Sequence, residues 1–125
     1  MLVDSDVLIW LLRGNARALA AVSALPAWSI SAVTHMELVQ GCRSKTELRA
    51  VQKAFAPNAN PILHITPAIS EAACALVERH SLSHSLYMAD ALIAATALAH
   101  GLPLLTGNAK HFAPIAGLAV RTFKP

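Results

Sequence analysis

Apolar and polar positions in this chain fall into short blocks. Leu2-Val3 is a two-residue apolar stretch closed by Asp4, and the apolar density of Asp6 to Leu12 predicts a helix starting at once, capped by Asp4 or Ser5. Arg13-Gly14-Asn15 stops it, and Ala16 to Leu25 predicts a second, Ala-rich helix that Pro26 ends. Trp28-Ser29-Ile30 fits a buried strand. From Ala32 to Gly41, Val33, Met36 and Val39 with Leu38 recur at helical spacing, and a basic helix follows over Lys45 to Phe55. Pro57 to Pro61 makes a turn and Ile62 to Ile65 a third strand. Thr66-Pro67 then opens a helix to about His80, with Thr66 as cap and Pro67 at the first position. Ser81 to Ser85 reads as a polar link before the helix of Met88 to Ala99, which Gly101-Leu102-Pro103 ends. Leu104-Leu105-Thr106 is a fourth strand, Gly107-Asn108 a turn, and Ala119 to Thr122 a fifth strand.

Strands separated by helices imply crossover connections and therefore a parallel sheet. The expected architecture is α/β, three layers with a central, mostly parallel sheet of four to five strands, and residues 1–125 form one domain without repeat or linker. The ligand crevice of such a sheet lies at the carboxyl ends of its strands, where Asp4 and Asn108 fall.

Composition agrees with a sheet covered on both faces. Apolar residues make up 55% and charged residues 14%, an apolar excess that a buried sheet or a partner-binding surface absorbs. The longest apolar run is Met88 to Ala99 and is broken by Asp90, too short for the ~20 residues that span a bilayer, so no membrane association is expected. The N-terminus lacks a basic segment and meets acids within four residues, unlike a secretory signal. Cys42 and Cys74 have no metal-ligand spacing, and reduced thiols in a cytoplasm are the simplest reading. A net charge of +3 permits nucleic-acid binding without demanding it.

The acids carry the chemistry. Only seven Asp and Glu residues are present, yet Asp4 and Asp6 close an apolar run and Asp90 interrupts another, with no Lys or Arg adjacent. A buried unpaired carboxylate costs several kcal/mol or neutralises itself. Carboxylates gathered by the fold instead find use around a divalent cation. Each acid also has a plainer role: Asp4 as a helix cap, Asp6 and Asp90 as first-turn acids favoured by the helix dipole, Glu37 as a solvated helix residue. Asn108 suits a turn, but its amide oxygen is also a ligand for a hard cation. Ser5 and Thr106 offer hydroxyls at the same edge to a phosphate or a metal-bound water. His111 reads as packing or surface, or as a phosphate contact, and Arg43, Lys45, Arg49 and Lys53 as a solvated helix face or, less often, a stripe that contacts a nucleic-acid backbone.

Taken together, Val3-Asp4-Ser5-Asp6, Glu37 in a helix after the second strand, Ala89-Asp90-Ala91-Leu92-Ile93-Ala94-Ala95-Thr96-Ala97 and Leu105-Thr106-Gly107-Asn108-Ala109-Lys110-His111-Phe112 resemble the PIN-domain ribonucleases, and more narrowly the VapC toxins of bacterial toxin–antitoxin operons. The resemblance implies a PIN-like fold and a metal-dependent endoribonuclease. In that family's pattern Asp4, Glu37 and Asp90 are the catalytic, metal-binding acids. Asn108 stands where many members carry a fourth acid, and Ser5, Asp6 and Thr106 would stand behind the metal or on a phosphate. It also implies Mg²⁺, replaceable by Mn²⁺, an RNA substrate cut to 5′-phosphate and 3′-hydroxyl ends, a VapB-like antitoxin and a homodimer.

Two other readings remain open at this point. Asp4-Ser5-Asp6 copies the Asp-x-Asp start of haloacid-dehalogenase phosphatases, with Asp4 as nucleophile, though Leu8 and the isolated Asp90 fit that class less well. An inactive nuclease-like fold retained for binding is the other, and the missing acid at Asn108 is its support.

Overall fold

The computed structural model describes residues 1–56 and 61–125, so most of the turn expected at Pro57 to Pro61 lies outside the described residues. The order of elements is β1 (Leu2–Val3), α1 (Ser5–Leu12), α2 (Ala16–Ser23), β2 (Ile30–Ser31), α3 (Ala32–Gln40), α4 (Lys45–Ala54), β3 (Ile62–Leu63), α5 (Pro67–His84), α6 (Met88–Ala99), β4 (Leu104–Thr106), α7 (Ala109–Phe112) and β5 (Val120–Thr122). Helix starts follow the expected chemistry. Asp4 rather than Ser5 caps α1, Asn15 caps α2 by accepting from Ala18 N–H, and Thr66 caps α5 by accepting from Ile69 N–H.

Every strand pairing is parallel: β1 with β4, β4 with β5, and β2 with β3. A parallel bridge between Leu2 and Ser29, with Val3 N–H donating to Ser29 O, joins the two sets edge to edge. The strand order across the molecule is thus β3-β2-β1-β4-β5.

Alternation along these strands divides the core. Leu2 and Leu104 face a cluster with Ile69, Leu86, Ile93 and Phe112, whereas Val3 and Leu105 face one with Val7, Leu8, Val22, Leu38 and Val51. Helices α5, α6 and α7 therefore cover one face and α1, α2 and α4 the other, giving the expected three layers.

Apart from shifts of one or two residues at helix ends and the short α7, the local differences from expectation lie at β2, β3 and the end of α5. The second strand is Ile30–Ser31 rather than 28–30, because Ser31 both ends it and caps α3 by accepting from Val33 N–H. The third is shorter than expected, ending at Leu63. The supposed polar link 81–85 is helical as far as His84, with left-handed Ser85 (φ 53°) as the stop. Its Ser and His residues are outward-facing helix surface, since α5 packs along α6 through Ile69 and Ala73.

Candidate active site

The carboxyl ends of β1 and β4 create the site. Asp4 N–H donates to Leu105 O at 2.9 Å, which carries the strand pairing one residue past β1 and sets Asp4 beside Thr106. There the chain turns into α1, so one residue serves as both strand end and helix cap. Asp4 is 4% exposed. Its Oδ1 accepts from Ser5 N–H at 2.8 Å and its Oδ2 from the Thr106 hydroxyl at 2.7 Å. Burial first, then repulsion from Asp6, pushes its pKa up from 3.8 to about 6.

Asp6 is the second residue of α1 and faces the loop after β4. Its Oδ2 accepts from Gly107 N–H at 2.8 Å and from the Asn108 side-chain amide at 3.3 Å. A Cβ on Gly107 would collide with that same oxygen, so the loop approaches Asp6 closely only because residue 107 is glycine. Asn108 N–H in turn donates to Thr106 Oγ1 at 3.0 Å. Thr106 and Asp6 together hold the loop that carries Asn108.

Glu37 reaches the cluster from α3, and its Oε1 accepts from the Ser5 hydroxyl at 3.2 Å. The same hydroxyl lies 3.4 Å from Asp4 Oδ1, and its single proton serves one carboxylate at a time. Asp90, at the third position of α6, faces the backbone N–H of Tyr87, the place of the acid in a capping box, and that N–H works against the rise that burial gives its carboxyl. Its other neighbour is His111, whose Nδ1 is 3.6 Å from Asp90 Oδ2, longer than a hydrogen bond; burial raises the Asp90 carboxyl and this neighbour works against that rise. Burial raises the carboxyls of Asp6, Glu37 and Asp90 as well, and the charge of Asp90 raises all three of its companions. Among the described residues the ion pairs are that of His111 with Asp90 and a remote surface pair between Arg43 and Glu47.

All the sequence-derived candidates (Asp4, Ser5, Asp6, Glu37, Asp90, Thr106 and Asn108) therefore meet at one sheet edge, through interactions spanning up to 102 residues of chain. Asp6, expected at the helix start or behind the metal, anchors the Gly107-Asn108 loop. His111, read as packing or surface or as a phosphate contact, lies beside Asp90, because the fold carries the segment after β4 back to α6.

The donor chemistry fits a hard divalent cation: three carboxylates and an amide, all oxygen, with repulsion that a cation would relieve. As the side chains stand, no three His, Cys, Asp or Glu residues among the described ones close around a single point. Each acid is instead drawn to its own partner, Asp4 to Thr106, Asp6 to Gly107, Glu37 to Ser5 and Asp90 to His111.

A model of the PIN domain matches residues 1–118. The chain belongs to the PIN-domain family. That membership separates it from the phosphatases whose Asp-x-Asp start it copies. Among solved structures this PIN domain is similar to a chain of a toxin-antitoxin complex from Klebsiella pneumoniae, 35% identical over 97% of this chain and 95% of that one, with a TM-score of 0.81. It is also similar to a chain of VapBC2 from Rickettsia felis bound to a promoter DNA fragment, with 17% identity, 98% of each chain and a TM-score of 0.78. A third similar chain is in VapBC-1 from nontypeable Haemophilus influenzae, with 21% identity, 97% and 96% coverage and a TM-score of 0.76; these last two speak for the fold alone. No curated protein sequence matches the chain. No described helix is long and apolar enough to cross a membrane.

Proposed function

We propose that this PIN-domain chain is the toxin of a toxin–antitoxin pair and works as a divalent-cation-dependent endoribonuclease, using Mg²⁺ or, in its place, Mn²⁺. The observation that carries the reading is the gathering of four mutually repelling carboxylates at the carboxyl edge of a parallel sheet, with one imidazole beside Asp90. Likeness to a chain of the Klebsiella toxin-antitoxin complex supports the toxin assignment.

Asp4, Glu37 and Asp90 would hold the cation, with the Asn108 amide oxygen as a fourth donor. The chemistry a bound divalent cation supplies is activation of water and stabilisation of charge on phosphodiester oxygens. The chain's own residues fix the frame: Thr106 holds Asp4 Oδ2, Ser5 lies between Asp4 and Glu37, Asp6 holds the loop of Asn108, and His111 lies beside Asp90. A side-chain nucleophile is not required. An antitoxin or a second copy of the chain would find apolar surface at the exposed Leu82, Tyr87 and Met88 around the start of α6.

Purified protein with single-stranded RNA and Mg²⁺ is expected to give fragments with 5′-phosphate and 3′-hydroxyl ends, and excess EDTA to stop the reaction. Undiminished cleavage in EDTA would overturn the role of the cation. Intact RNA with the cation supplied would turn the reading to a PIN fold retained for binding.

Asn108 has its own test. Asn108→Asp adds a carboxylate to the donor set, so Mn²⁺ affinity is expected to rise by roughly tenfold. The same change deletes the amide N–H that Asp6 accepts and places like charge beside it, so melting without metal should occur at lower temperature. Unchanged or weaker Mn²⁺ affinity would remove Asn108 from the ligand set.

A further inference from the structure

A nuclease site built on four carboxylates repels the polyanion it must receive, so affinity for the strand has to come from cations placed beyond them. Such cations line a cavity of about 330 Å³ on the α2 side of the sheet. Its walls carry Leu25, Leu105 and Phe123, and Arg17, Arg121 and Lys124 line it with no acid among the lining residues. Arg17 Nη1 donates to Pro125 O at 3.3 Å, and none of the three cations is in an ion pair with a described side chain. A larger cavity of about 520 Å³, near Glu37, offers two arginines but also Glu37 and Glu47, and so lacks this one-sided charge.

The cationic cavity is coupled to the acidic edge through the backbone. Phe123 N–H donates to Thr106 O at 2.8 Å, and Phe123 O lies 3.6 Å from where a Cβ of Gly107 would be. Gly107 is the residue whose N–H holds Asp6. Arg121 pairs in register with Leu105, so it shares that residue's face of the sheet, whereas Thr106 on the next position turns to Asp4. The cavity and the carboxylates thus lie on either side of one pair of strand ends.

We propose that this cavity is a subsite for the RNA strand, in which an unstacked base rests on the apolar floor of Leu25, Leu105 and Phe123 while Arg17, Arg121 and Lys124 hold the flanking phosphates. The proposal rests on the nuclease reading above for the identity of the strand. An apolar floor under a cationic rim matches a nucleotide, which is planar and apolar on its faces and charged at its phosphate.

The test is binding of a fluorescent single-stranded 12-nucleotide RNA in EDTA, with salt varied, to the wild-type chain and to the Arg17→Gln/Arg121→Gln/Lys124→Gln variant. The three side chains are exposed, and a melting curve matching wild type checks that the variant is folded. Affinity at low salt is expected to fall by about tenfold or more, and the slope of log affinity against log salt to flatten by about 2, at ~0.7 for each phosphate no longer neutralised. Lysine at positions 17 and 121 with Lys124 kept should restore the slope. An unchanged slope and affinity would overturn the subsite and leave the nuclease reading standing. A variant that no longer binds polyglutamate but still binds RNA as wild type does would also overturn it, by assigning the cavity to an acidic protein segment. RNA bound through these cations but left uncut when Mg²⁺ is added would support the subsite and sink the nuclease reading instead.

Discussion

Asp4→Asn is expected to abolish RNA cleavage and at the same time to raise the melting temperature of the metal-free protein at pH 7.5. On the proposed function, the first effect follows because Asp4 would be a charged oxygen donor to the cation, a role worth several kcal/mol, or about 10²- to 10³-fold in rate. The second follows from linkage. An Asp whose pKa is about 6 when folded and 3.8 as a free side chain keeps its proton longer in the folded protein than in the unfolded one. Between those values the unfolded state binds fewer protons, so stability falls as pH rises through that window and stays lower above it. A shift of this size corresponds to roughly 3 kcal/mol, and the asparagine recovers on the order of 1–2 kcal/mol once its amide N–H groups must be accommodated beside Thr106. Melts in EDTA should place the variant several degrees above wild type at pH 7.5 and bring the two together near pH 4. Added Mg²⁺ should raise wild type and leave the variant unmoved. A variant that melts below wild type in EDTA at pH 7.5 would show that the Asp4 charge is already compensated within the fold.

That energetic cost is also why part of the site is legible in the sequence. Asp4 and Asp90 announce themselves by interrupting apolar runs, since burial of an acid is costly wherever it occurs. Glu37 does not, because an acid on a helix is ordinarily solvated; its place is set by a hydrogen bond to Ser5, 32 residues away. The neighbour of His111 is hidden for a related reason, since Asp90 lies on another element and no local pattern joins the two.

Helices and caps are the readable part of the fold, because their signals are local. The sheet is less so. Strands of two or three residues are fixed by pairing between distant segments, as Leu2 with Leu104 and Ile30 with Ile62, and their limits follow from the partner. The four-residue α7 carries too few residues to show a period, and the Ser- and His-rich end of α5 resembles a linker until the packing of α5 against α6 is known.

The role given to Asp6 is open to a sharper measurement than deletion, because Gly107 is bound to it by exclusion as well as by a hydrogen bond. Gly107→Ala is expected to destabilise the chain by about 1–3 kcal/mol, the usual cost of an atom forced into filled space. The backbone is not the obstacle, since Gly107 does not occupy the left-handed region; the added Cβ meets the Asp6 carboxylate, while Phe123 O at 3.6 Å is at ordinary van der Waals distance. Displacing Asp6 also frees Asn108 and the loop after β4, so cleavage should fall with stability. Combining Gly107→Ala with Asp6→Ala removes the colliding oxygen, and the second substitution should then cost little on top of the first. Chemical denaturation of wild type, both single variants and the double variant gives that coupling directly. Additive losses would mean that Gly107 is required for some reason other than Asp6. A double variant more stable than Gly107→Ala alone, yet still slow on RNA, would separate the two functions of Asp6: the glycine exists to admit its carboxylate, and the carboxylate exists to hold the loop that brings Asn108 to the acids.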